Sequence, residues 1–140
     1  MQIFVNTSLN ESLRQALKQQ LPAGHSVFFK NEWSETEQAA AFQQSQVILG
    51  NPPAAWLAPA PPLLKYWQLD SAGFDGYKNL NLPNVAVCNL ADYFSIPCAE
   101  TIVAGILAFY RGVDELTSLK AEKRWVGAPL RFRLNLLTGK

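Results

Sequence analysis

Ser71-Ala72-Gly73 and Asp75-Gly76 stand together in "WQLDSAGFDGYKNL", directly after a short apolar run that ends at Asp70. Two glycines within four residues after a strand imply a turn where backbone comes close to something, a neighbouring strand or a ligand. Such a turn can offer successive N–H groups to an anion. The plainer alternative is glycines that only satisfy turn geometry. Gly50-Asn51-Pro52 and the stretch from Asn89 to Tyr93 also follow apolar runs. If those runs are parallel strands, all three loops lie beyond their carboxyl ends, where open parallel sheets bind ligands. The chemistry expected there is recognition of a small anion.

Other candidates for chemistry are weaker. His25, the single histidine, sits between Gly24 and an apolar run with no serine, cysteine or ligand spacing beside it, and reads as a surface or turn histidine. No metal cluster is expected. Cys98 at a helix start has no nearby histidine and reads as a packed thiol. Gly73-x-x-Gly76 is not a dinucleotide fingerprint, because no glycine stands two positions before Gly73 and no helix follows the strand directly. The terminal "TGK" lacks the upstream glycine of a phosphate loop.

The elements that must position these loops alternate. "QIFVN" reads as a buried strand, and "SVFF", "QVILG", "YWQLD" and "VAVCN" as four more strands. "SLNESLRQALKQQL" has capping-box spacing at Ser8 and Glu11, with Leu9, Leu13, Ala16, Leu17 and Leu21 at helical intervals. "SETEQAAAFQQS" has a second box, Ser34 with Glu37. The five prolines of "NPPAAWLAPAPPLLK" predict short helical turns joined by kinks. This alternation predicts an α/β, flavodoxin-like, parallel five-stranded sheet with helices on both faces, followed by a long C-terminal crossover helix. Pro97 suits its first turn and Glu100 its positive end. Apolar residues run all round it to Phe109, so it is expected to be a buried helix, enclosed by more protein than the chain supplies.

The bulk numbers set the frame. The 140 residues are 49% hydrophobic and 16% charged with a net charge of +1, which fits a globular chain that needs no metal or disulfide staple. The near-neutral charge argues against nucleic acid as a partner. The apolar run Ile102 to Tyr110 falls far short of the ~20 residues that span a bilayer. With two cysteines and no signal peptide ahead of the first strand, a cytoplasmic protein is expected.

The segments "LKYWQLDSAGFDGYKNL", "VAVCNLADYFSIPCAETIVAGILAFYRGVDEL", "KRW" and "LTGK", in this order, resemble the D-isomer-specific 2-hydroxyacid dehydrogenases, among them glyoxylate/hydroxypyruvate reductases, phosphoglycerate dehydrogenases and D-lactate dehydrogenases. The resemblance covers about the last half of the chain. It implies a substrate domain over residues 1–94, and a crossover helix with the start of a nucleotide-binding domain over 95–140. It implies that the Ala72 and Gly73 N–H groups hold the carboxylate of a small 2-oxo or 2-hydroxy acid while Asp75 shapes the loop. It places Tyr93, Gly50 and Asn51 at the substrate and Thr101 near the nicotinamide of NAD or NADP. Trp125 would help form a dimer interface, and the apolar helix over 97–119 predicts a homodimer.

The departures weigh as much. The family's glycine fingerprint and its catalytic arginine, glutamate and histidine lie downstream of the segment that "LTGK" resembles. His25, Arg111 and Glu100 do not occupy their positions, so no catalytic role passes to them. The expectation is an N-terminal substrate-domain fragment of an NAD(P)-dependent dehydrogenase, inactive alone, that binds no cofactor by itself. The alternative is a stand-alone flavodoxin-like module that binds a small carboxylate, or serves dimerisation, without catalysis.

Overall fold

The computed structural model describes residues 1–138; Gly139 and Lys140, the end of the "LTGK" segment, lie outside the described residues. The chain divides into two compact units, Met1–Tyr93 and Phe94–Lys140.

Five parallel strands build the first unit: β1 (Gln2–Val5), β2 (Ser26–Phe29), β3 (Val47–Leu49), β4 (Tyr66–Gln68) and β5 (Ala86–Cys88). Their spatial order is β2-β1-β3-β4-β5, the flavodoxin-like order that the alternation predicts. Side chains alternate between the sheet's faces, and the core divides accordingly. Phe4, Ile48 and Trp67 point to one face, where Ala41 and Phe42 of α2 (Glu35–Gln43) cover them. Ile3, Val5 and Phe29 point to the other, under Leu9, Leu17 and Leu21 at and around α1 (Glu11–Gln20). The Phe4 and Phe42 rings meet edge to face at 5.2 Å, as do Phe42 and Trp56. Each such ring, withdrawn from water, contributes roughly 1.5–3 kcal/mol.

The Ser34–Glu37 capping box forms as expected. The Glu37 carboxyl is held below its ordinary value, first by the Ser34 hydroxyl and then by the Ser34 N–H. The box expected at Ser8 does not form. Asn10 caps α1 instead, its Oδ1 accepting the Leu13 N–H at 2.9 Å, and the Ser8 hydroxyl accepts from Asn31 Nδ2. Asparagine caps at least as well as serine, and it stands directly before the first helical residue. The Pro-rich stretch gives one short 3-10 turn, Ala54–Leu57, which buries Leu57.

The second unit holds α3 (Ser95–Tyr110), α4 (Val113–Ala121) and α5 (Ala128–Arg131). The single helix expected over 97–119 is broken: α3 and α4 bend by 67° at the break. Gly112 adopts φ +59, the left-handed conformation glycine enters most readily, and Arg111 N–H and Gly112 N–H return to the Leu107 and Phe109 carbonyls. The apolar surface of α3 is exposed in the single chain, whose residues were not expected to enclose it. Ile102, Val103 and Phe109 are 63%, 51% and 82% exposed. Cys98 is likewise exposed rather than packed. Among the described residues no single helix is long and apolar enough to cross a membrane.

Candidate functional site

The carboxyl ends of β1, β3, β4 and β5 are tied together by polar side chains. Each of these strands is too short to fix the loop that follows it, so the loops depend on bonds between one another. Gly50, after β3, donates its N–H to Gln68 O at 2.8 Å and accepts the Trp67 indole N–H at 2.8 Å. Its φ is +100, and a Cβ there would lie 2.7 Å from Thr7 N, in the loop after β1. Asn51 reaches across to the loop after β4. Its Oδ1 accepts the Asp70 N–H at 3.2 Å, and its Nδ2 donates to Ser71 Oγ at 3.1 Å. The Thr7 hydroxyl donates to Asp70 Oδ2 at 2.7 Å, and Tyr77 Oη donates to Pro52 O at 2.8 Å.

The Ser71–Gly73 turn is held through its carbonyls. Leu90 N–H donates to Ser71 O at 3.1 Å, and Asn89 Nδ2 donates to Ala72 O at 2.6 Å. The Ser71 hydroxyl closes on Gly73 O at 2.7 Å. A peptide's C=O and N–H point in opposite directions. Both carbonyls drawn toward residues 89 and 90 therefore direct the Ala72 and Gly73 N–H groups to the opposite side. Among the described residues neither N–H meets an acceptor. Gly73 has no left-handed φ, and where its Cβ would be no atom lies within 4 Å. Turn geometry therefore does not require this glycine, and no strand crowds it. Two adjacent donors facing one way into open space can hold the two oxygens of a small anion.

The six residues singled out from the sequence fall into three groups. Ala72 and Gly73 present free donors. Gly50 and Asn51 lie beside them, but the bonds above occupy both backbone polar groups of Gly50 and both ends of the Asn51 amide, so in this arrangement they support the turn. Tyr93 ends the first unit with its side chain 71% exposed. Thr101 belongs to the second unit, on α3, and its hydroxyl donates to Pro97 O at 2.7 Å. Thr7, Asp70 and Asn89 carry much of the stitching. The sequence names the Asn89–Tyr93 loop but gives no role to Thr7, because its partner is 63 residues away. His25 lies in a turn, Nδ1 at 2.9 Å from Pro22 O. Among the described residues no cluster of ligating side chains could hold a metal.

Two tyrosines near β4 titrate above their ordinary range. Tyr66, whose hydroxyl donates to Gln68 Oε1 at 2.7 Å, is raised first by the neighbouring Cys88 side chain and then by burial. Tyr77 is raised by burial and next by the charge of Asp70. A raised phenol is protonated in both folded and unfolded chains below the unfolded value of about 10, so its contribution is fully present there. Above that pH the unfolded chain loses the proton first, and stability falls as pH rises toward the folded values. Thermal melts are expected to show Tm dropping above about pH 10, with Y66F and Y77F each making the drop shallower. An equal drop in both variants would contradict this.

No protein-family model matches the chain, and no curated protein matches it. Among solved structures, the chain is similar to a glycerate dehydrogenase-related protein from Thermoplasma acidophilum, at 22% identity and a TM-score of 0.55. The match covers 100% of this chain and 44% of that one, so the chain spans less than half the length of its structural neighbour. A phosphoglycerate dehydrogenase from Lactobacillus plantarum also matches, at 22% identity and a TM-score of 0.48, over 89% of this chain and 40% of that one. At 22% identity the likeness to the Thermoplasma acidophilum protein establishes the fold.

Proposed function

We propose that these 140 residues are the substrate-domain part of an NAD(P)-dependent D-2-hydroxyacid dehydrogenase, and that the site receives the carboxylate of a small 2-oxo or 2-hydroxy acid. The observation that carries this reading is the pair of unpaired N–H groups at Ala72 and Gly73, facing one way at the carboxyl edge of a 2-1-3-4-5 parallel sheet. The motif order in the sequence and the shared fold of a glycerate dehydrogenase-related protein support it. Charge-assisted bonds from backbone N–H to a carboxylate are roughly twice as strong as neutral ones, so two of them select a carboxylate over an amide.

The residues present do not fit the dinucleotide. No two glycines of the sequence stand one residue apart, and among its described residues the second unit has helices but no strand leading into a glycine-rich turn. Hydride transfer also needs a general acid beside the substrate oxygen, and the one histidine is in the turn at residue 25. On this reading the 140-residue chain binds the acid without turning it over.

The test has two arms. Glycolate is expected to raise Tm with concentration, while glycolamide, its uncharged counterpart, is expected not to; ligand at about 100 times Kd adds about 2.7 kcal/mol. NADH or NADPH with glyoxylate, hydroxypyruvate or pyruvate is expected to be consumed at the background rate. Equal effects of glycolate and glycolamide would overturn the carboxylate site, and turnover above background would overturn the assignment of catalysis to residues outside these 140.

A further inference from the structure

The two donors of the turn are oriented by different means. Ser71 O, which sets the direction of the Ala72 N–H, is held by a main-chain group, the Leu90 N–H. Ala72 O, which sets the direction of the Gly73 N–H, is held by a side chain, the Asn89 amide at 2.6 Å. We propose that Asn89 is a positioning residue for anion recognition: by holding the Ala72 carbonyl it aims the Gly73 N–H at the ligand without touching the ligand itself. This rests on the carboxylate reading above.

The Asn89 side chain is itself fixed at both ends. Its Oδ1 accepts the Ala91 N–H at 3.1 Å while Nδ2 donates to Ala72 O. A carbonyl can only accept and an N–H can only donate, so the two partners dictate which end of the amide faces which. That leaves the amide oxygen committed to Ala91 and the near N–H to Ala72. The peptide it holds has little restraint of its own, because Gly73 has the widest choice of backbone conformations and no atom lies within 4 Å of where a Cβ would stand. Without the amide, the 72–73 peptide is free to rotate its N–H away from the ligand.

The test resolves the two amides by NMR. The 140-residue chain is titrated with oxalate, and the Ala72 and Gly73 N–H signals are followed. In the unmodified chain both are expected to shift saturably. In Asn89→Ala the Gly73 response is expected to disappear and the Ala72 response to remain, with affinity falling about tenfold for the loss of one charge-assisted donor. A general loosening of the fold would not single out one of two adjacent amides. An N89A chain that shifts both amides with unchanged affinity overturns the positioning role. If N89A does not fold, Asn89→Asp carries the test, since it keeps the size and the acceptor for Ala91 while removing the donor to Ala72. A Gly73 response retained in N89D is equally decisive against the proposal. Silence of both amides in the unmodified chain overturns the carboxylate site itself, and this inference with it.

Discussion

Replacing Gly50 by alanine is expected to destabilise the first unit by about 2–5 kcal/mol and to weaken anion binding at the same time. Two costs add. A residue with a Cβ in the left-handed conformation loses roughly 1–2 kcal/mol, and Gly50 stands at φ +100. The new Cβ would also lie 2.7 Å from Thr7 N, with Thr7 Oγ1 closer still. Overlap with main chain is not relieved by turning a side chain, and forcing a shift of this kind costs about 1–3 kcal/mol. The loop that must move carries Asn51, so the clamp on Asp70 and Ser71 moves with it. Urea unfolding would show a lower midpoint with an unchanged slope. Gly73→Ala is the matched control: with no left-handed φ and no atom within 4 Å of the added carbon, it is expected to leave the midpoint where it was. Equal midpoints for G50A and G73A would remove the close approach of the two loops from the account.

The second large effect is expected at Trp67. It is 1% exposed, meets the Tyr77 ring edge to face at 4.7 Å, and donates its indole N–H to Gly50 O. Trp67→Ala deletes a buried aromatic, at about 3–5 kcal/mol, and leaves the Gly50 carbonyl without its donor. Domains of this kind have only ~5–15 kcal/mol of stability in total, so W67A is expected to be largely unfolded or close to it at 37 °C. Trp67→Phe separates the two contributions. It keeps most of the apolar contact but leaves the acceptor unpaired, for about 1–3 kcal/mol. If W67F unfolds at the same urea concentration as the parent chain, the indole bond contributes nothing and the Gly50 loop is held by other means.

The five strands were legible as short apolar runs between turn and helix signals, at residues 2–5, 26–29, 47–49, 66–68 and 86–88, although the edge strand β5 is exposed along its length. Their parallel order follows from the helices and turns between them. Element ends were less legible. Ser8 and Asn10 both compete to cap α1, and spacing alone favours the box while geometry favours the nearer asparagine. The break at Gly112 lay hidden because Phe109, Val113 and Leu116 keep helical spacing across it, so the periodicity does not register a change of direction. The loops of the candidate site could be named from position, since they follow strands. Their supports could not, because Thr7–Asp70 and Asn89–Ala72 pair residues 63 and 17 apart through single hydrogen bonds that leave no periodic trace.

The groups offered at the turn are main-chain N–H groups, present whatever residue other than proline stands at position 72. The Ala72 side chain can therefore drift during evolution while the donors persist. Under the proposed binding mode the pressure falls instead on the amides and the glycine that support the turn: Asn51, Asn89 and Gly50. Two chains that bind the same acid in this way could differ at the turn itself and agree only in its scaffolding. Kinship among such proteins would then be written in residues adjoining the ligand's cradle, which is where a family would be recognised after its motif had worn away.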